Sequence, residues 1–168
     1  MFVIGIVDVT TIGSTICQRR INELGGALGD HPEFAVHSIP FKEYRPAVID
    51  KDWKRVAELV SFSIERLSRL NVSFIIIPSN TSHYAYDSFS RNSPVPVLDL
   101  IEVTAKACHE AGIKKVAILG TKSTMSGGLY KQKIENKGMT LIVPSEEICE
   151  ALDKFIMEEI VPGKVNEH

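Results

Sequence analysis

The chain reads as an α/β protein built on mostly parallel sheets. Two observations carry that reading. Short runs of branched and aromatic apolar residues recur: Phe2 to Val7, Phe34 to Ile39, Phe74 to Ile77, Val116 to Leu119 and Thr140 to Val143. Runs of this length without polar alternation are strands buried on both faces. Between them lie stretches with apolar residues three and four apart, the period of an amphipathic helix. Strands that alternate with helices along a chain pair in parallel. The expected division is into two lobes, residues 1–99 and 100–168, with a hinge between Leu98 and Ile101.

The elements follow in order. After the first strand, Asp8 to Thr15 reads as a loop, Ser14 or Thr15 as a helix cap, and Gly25-Gly26 as the end of that helix near Leu24. After the second strand, Pro40 to Asp50 reads as a loop holding Lys42, Tyr44 and Arg45. Asp52 caps a helix with Trp53, Val56, Val60, Ile64, Leu67 and Leu70 on its apolar face. The third strand stops at Pro78, which has no N–H for a ladder, and Ser79 to His83 follow. A helix comes next, then a short strand, Val95 to Leu98. In the second lobe, Glu102 to Ala111 is helical and Gly112 stops it. The strand Val116 to Leu119 leads into Gly120 to Met125, and Leu129 to Asn136 is helical. Ser145 caps a last helix to about Ile160, with Glu146 and Glu147 near its positive end.

Composition narrows the function classes. Apolar content of 44% and charged content of 24% are those of an ordinary globular chain. A net charge of -2 without a basic stripe argues against nucleic acid as a partner. No apolar run is long enough to span a membrane, and Asp8 interrupts the first one too early for a signal peptide. Cys17, Cys108 and Cys149 show no metal spacing and read as reduced thiols of a cytoplasmic protein. Cys17 sits just inside a helix, where a thiol pKa is open to lowering, although a core role fits it better. His31, His37, His109 and His168 form no ligand spacing, and Met125 and Tyr130 read as packing.

Three loops after strands carry one kind of residue: Thr10, Thr11, Ser14 and Thr15; Ser79, Asn80 and Thr81; Thr121, Ser123 and Thr124. Each precedes a helix, whose free N–H groups suit a carboxylate or phosphate. Capping alone accounts for any one of them. Three together indicate a polar small-molecule cleft, which Ser79, Thr81, Thr121 and Thr124 are expected to face. Neither a phosphate-binding P-loop nor the glycine fingerprint of dinucleotide sites is present, so a nucleotide-binding flavodoxin-like domain is the weakest reading.

The stretch Ile77-Pro78-Ser79-Asn80-Thr81-Ser82-His83 resembles the signature of the aspartate/glutamate racemase family, whose usual form is Cys-Asn-Thr-x-His. Ala111 to Thr121, with Thr124-Met125, is similar to the start of that family's second lobe, and Gly5-Ile6-Val7 with Ser14-Thr15 to its first strand and loop. The resemblance runs from Gly5 to about Ile160. Asp8-Val9 stands where the family generally has Gly-Gly.

The resemblance implies two similar flavodoxin-like lobes and racemisation of aspartate or glutamate without pyridoxal phosphate, metal or other cofactor. A thiol from each lobe would flank the substrate's Cα, one removing the α-proton and the other returning a proton on the opposite face. Asn80, Thr81, Thr121 and Thr124 would hold the α-carboxylate and ammonium. Arg45 falls where some members place an arginine for the distal carboxylate, work suited to a bidentate, always-charged guanidinium. A lysine with the same task is expected near Asn166, with Lys164 close by. A homodimer is implied.

Ser79 stands where the first catalytic cysteine is expected. A serine hydroxyl needs an adjacent base to be activated. His83, at the helix start, reads as packing or capping rather than as that base. The second cysteine belongs to a Cys-Thr-Glu stretch after a later strand, which these 168 residues do not include, so the second lobe is expected to be incomplete. The expectation is therefore impaired racemisation. The alternative is a non-catalytic, carboxylate-binding member of the same fold.

Overall fold

The computed structural model describes residues 2–126 and 128–164. The chain forms two compact units, divided between Leu100 and Ile101. Both are α/β with parallel strands.

The first unit holds a three-stranded sheet: β1 (Val3–Asp8), β2 (Glu33–Ser38) and β3 (Phe74–Ile76), in the order β2-β1-β3. Every pairing is parallel, with Ile6 opposite Val36 on one side and Ile76 on the other. The expected strand Val95 to Leu98 shrinks to one parallel bridge, Val97 to Ile75, because the flanking prolines interrupt the ladder. Helix α1 (Thr11–Ala27) links β1 to β2. It starts three residues before the expected cap and runs through Gly25-Gly26. Ser14 is buried in its first turns rather than capping it, and the Thr15 hydroxyl bonds back to the Thr11 carbonyl. Gly25 is needed where it lies, since a Cβ there would stand 2.5 Å from Pro32 Cδ and 2.6 Å from the Asp30 carbonyl oxygen.

The segment Pro40 to Asp50, expected to be a loop, is helix α2 (Phe41–Ile49) with Pro46 inside it. Two prolines signal loop locally, but burial of Tyr44 and Ala47, three apart on one face, outweighs that signal. Helix α3 (Trp53–Ser68) follows its reading except at Leu70, which lies past the helix end and is exposed because the chain has already turned toward β3. The Asp52 carboxylate accepts from the Arg55 N–H at 2.9 Å, and Val56, Val60, Ile64 and Leu67 are buried. Each such side chain removed from water contributes about 1.5–3 kcal/mol. Together with Val7, Ile75, Ile77 and Phe89 they form the core of this unit.

The second unit pairs β4 (Lys115–Ala117) in parallel with β5 (Thr140–Ile142). Helix α5 (Leu100–Glu110) follows α4 (Tyr86–Ser90) and supplies Ile101 and Ala105 to a core shared with Tyr130, Ile134 and Met139. Gly112 ends α5 at φ +73°, a conformation open to glycine. Helix α6 (Lys122–Ser126) is short, and α7 (Lys131–Glu135) covers only the middle of the expected helix Leu129 to Asn136. Glu102 of α5 ties down α7 and the turn after it, meeting Lys133 at 3.2 Å and Lys137 at 2.7 Å. Helix α8 (Glu146–Phe155) continues as a π-helical stretch, Ile156–Ile160. Ser145 precedes α8 without a side-chain cap.

Candidate active site

In the first unit the sheet order reverses at β1. The chain leaves β1 toward β2 on one side and later returns to β3 on the other. At such a switch point the loops beyond the two strand ends diverge and leave a crevice. The loop after β1 and the loop after β3 therefore meet there. The first turn of α1, which follows the short loop after β1, is packed against the loop after β3, for a Cβ on Gly13 would stand 2.8 Å from the Pro78 carbonyl oxygen.

Ser79 is half-buried in that loop. Its Oγ accepts a hydrogen bond from Ser82 Oγ at 3.0 Å and lies 3.4 Å from the Tyr44 hydroxyl. Ser82 is fully buried and lies 2.9 Å from the same Tyr44 hydroxyl. Asn80 and Thr81 follow as the chain enters a single 3-10 turn, Thr81–Ala85.

His83 locks the loop from behind. Its Nδ1 donates to the Ser79 carbonyl at 2.8 Å, and its Nε2 accepts from the Leu100 N–H at 3.1 Å. Those partners select the neutral Nδ1–H tautomer. The ring stacks on Tyr86 and meets Phe89 edge-on. Burial pushes its pKa below the usual histidine value, against the opposing pull of the Ser79 carbonyl and Asp99. With both nitrogens engaged elsewhere, His83 is not a base for the Ser79 hydroxyl.

Arg45 is exposed on α2, one residue beyond buried Tyr44. Two functional candidates escaped the sequence reading. Tyr44 was hidden by the loop assignment of its segment. Asp8, which the sequence pattern assigns to the loop, is the buried last residue of β1. Its Oδ2 accepts from Ser38 Oγ at 2.6 Å, while Oδ1 is buried without a hydrogen-bond partner. The signal for Asp8 was its position at the end of an apolar strand, one residue from the hydroxyl-rich loop.

In the second unit Thr121 and Thr124 come together, with hydroxyls 3.0 Å apart. The Thr124 N–H also points at Thr121 Oγ1, at 3.4 Å. Thr124 is buried, and Gly120 leaves room for its side chain. The Lys122 N–H donates to Asp153 of α8 at 2.8 Å, anchoring this loop. Met125 and Tyr130 are core residues.

The cysteines are not placed for chemistry. Cys17 lies in the body of α1, where burial raises its thiol pKa instead of the helix start lowering it. Cys149 is buried with its thiol on the Pro144 carbonyl. Among the described residues no group of three or more His, Cys, Asp or Glu is placed to hold a metal ion. No helix among them is long and apolar enough to cross a membrane. Lys164 is exposed, and the expected position near Asn166 lies outside the described residues, as does His168.

The sequence model of the Asp/Glu/hydantoin racemases matches residues 4–168. The chain belongs to the Asp/Glu/hydantoin racemase family. The broad specificity amino-acid racemase RacX of Bacillus subtilis (strain 168) is 31% identical over 114 residues, which are 67% of this chain and 48% of RacX. A glutamate racemase of Aquifex pyrophilus is 28% identical over 116 residues, 66% of this chain and 46% of that one. The chain thus spans about half the length of the curated relatives it matches. Among solved structures, an aspartate racemase homologue from Pyrococcus horikoshii OT3 superposes with a TM-score of 0.80 at 30% identity, over 97% of this chain and 73% of that one. The aspartate racemase of Picrophilus torridus shares the fold, with a TM-score of 0.78 at 19% identity over 96% and 71% of the two chains. Racemase-family membership accounts for the parallel α/β fold.

Proposed function

We propose that this racemase-family chain recognises a small acidic amino acid, aspartate or glutamate, and that its α-proton chemistry needs no pyridoxal phosphate or metal and is impaired. The observation that carries the reading is Ser79, at the switch point of a racemase-family sheet, in the place of the expected thiol. Its Oγ accepts from the Ser82 hydroxyl, and the Tyr44 hydroxyl lies 3.4 Å away. A hydroxyl is far less acidic than a thiol, and neither neighbour is a base to activate it.

On this reading Ser79, Asn80 and Thr81 offer neutral donors to the α-carboxylate, and the unpartnered Asp8 oxygen offers an acceptor to the ammonium. Arg45 meets the distal carboxylate. Thr121 and Thr124 of the second unit supply hydroxyls to the same class of ligand. The two units correspond to the two lobes of the family, and the working form is a cytoplasmic homodimer.

The same hydroxyl environment favours a second reading, in which the chain binds an acidic amino acid without racemising it. Calorimetric titration with aspartate and glutamate, beside NMR of α-proton exchange in deuterated water, separates the two. Binding with slow exchange supports impaired catalysis, and binding with none supports the second reading. Absence of binding to either amino acid would defeat both. Efficient racemisation by the unmodified chain would overturn the assignment of impairment.

A further inference from the structure

The three hydroxyls around position 79 form a directed chain. A hydroxyl has one proton to donate. Ser82 donates its proton to Ser79 Oγ at 3.0 Å. Ser82 then has only lone pairs to offer Tyr44, so the 2.9 Å contact is a donation from Tyr44 to Ser82. The remaining contact, Tyr44 to Ser79, is 3.4 Å, too long for a good O–H···O bond. The Ser79 proton is therefore the one with no good acceptor inside the group. Donation in series polarises each member, so the last hydroxyl becomes a better donor and its oxygen a better seat for negative charge.

Tyr44 is fitted for this work. The residue is 4% exposed, its ring stacked beside Phe41 on the core side of α2, and its hydroxyl reaches the loop. Burial raises its pKa above the usual phenol value, which keeps it a donor through the neutral range. A core that needed only volume here is served equally by phenylalanine.

We propose that Tyr44 is a positioning residue. Acting through Ser82, it directs hydrogen-bond donation onto the side-chain atom at position 79, so that this atom is stabilised when negative and its own proton is presented to the ligand. The proposal deepens the reading of Ser79 as a ligand-facing group and rests on it for that orientation alone.

The test uses the full chain and no ligand, so its outcome is independent of amino-acid binding. Ser79→Cys converts the position into a titratable reporter. Thiolate absorbance near 240 nm, taken at each pH as the difference from the matching chain that keeps Ser79 (unmodified, Tyr44→Phe or Ser82→Ala), gives its midpoint and removes the other three cysteines and the tyrosines. The same titration is run on Ser79→Cys with Tyr44→Phe and on Ser79→Cys with Ser82→Ala. Asp8 on the neighbouring strand, and His83 and Asp99 behind the loop, are common to all three and cancel in the comparison. Each second substitution should raise the midpoint by about half a unit to one unit, or roughly three- to tenfold less thiolate below the midpoint. A phenylalanine that merely fills the same space leaves the midpoint unmoved. An unchanged or lowered midpoint in either double variant would overturn the proposal. A rise with Tyr44→Phe alone is such a case, because the path through Ser82 would then be wrong. If Tyr44→Phe does not fold, as judged by circular dichroism, the Ser82→Ala comparison decides.

Discussion

Gly13 and the Pro78 carbonyl define how closely the first helix approaches the candidate site, because a Cβ on Gly13 would stand 2.8 Å from that oxygen and 3.2 Å from Thr10 Oγ1. Thr10 is the residue before the helix, and the Pro78 carbonyl is backbone of the loop after β3, which moves only with that loop. Gly13→Ala should destabilise the chain by about 1–3 kcal/mol, the usual cost of overpacking, and loosen the Ser79 loop. Gly26→Ala, in the same helix, meets only His31 Cε1 at 3.8 Å. It should stabilise by about 0.5–1 kcal/mol through helix propensity. Urea unfolding of the two variants beside the parent checks the opposite signs.

His83 gives the first unit a pH dependence. Its pKa is lowered in the folded chain by burial. In the unfolded chain it titrates near 6.5. A depressed folded pKa contributes stability that is present above the unfolded value and lost as pH falls through the folded one. The unfolding midpoint should therefore fall as pH drops from about 7 toward 5. His37, lowered by burial and by Arg66, adds an effect of the same sign. His83→Gln should reduce the slope to what His37 and the carboxylates leave. An unchanged slope would place the dependence outside His83.

Arg45 is a specificity prediction. Arg45→Ala should weaken aspartate binding roughly tenfold or more, the scale of a lost charge-assisted pair, and alter alanine binding little. Calorimetry with both ligands measures the difference. Equal losses would make Arg45 structural.

Asp52 is the cap of α3, and its carboxylate accepts from the Arg55 N–H at 2.9 Å. Asp52→Ala should lower stability by about 1 kcal/mol. Asp52→Asn should restore most of it, because the amide oxygen is also an acceptor. Denaturant midpoints of the pair separate the cap from a general loss of charge.

The second unit leaves Leu119, Ile142, Val143, Ile148 and Phe155 exposed, several of them beyond or within a sheet of two strands. Exposed apolar surface of this kind drives association. Light scattering should find the chain self-associated at micromolar concentration, and Phe155→Ser should shift it toward monomer. A monodisperse monomer of the parent would remove the dimer from the proposed function.

Much of this protein was determined by local sequence. Helix α3 follows from the three-and-four spacing of Val56, Val60, Ile64 and Leu67 and from Asp52, because cap and apolar stripe act within a few turns of one chain. The strands at Phe74 and Val3 follow from apolar runs, and the Ser79-Asn80-Thr81 loop from its place after one of them. Other features were decided only by tertiary structure. Tyr44 and Ala47 make α2 a helix despite Pro40 and Pro46, since burying one face outweighs local loop signals. The strand expected at Val95 is a single bridge, because pairing depends on a neighbour and on N–H groups that proline lacks. The Cys17 thiol pKa is raised, not lowered, because partial burial in the folded unit outweighs its nearness to the helix start. The Tyr44–Ser82–Ser79 chain joins residues 38 positions apart along the sequence, and no local pattern encodes a contact that exists only when α2 packs beneath the loop after β3.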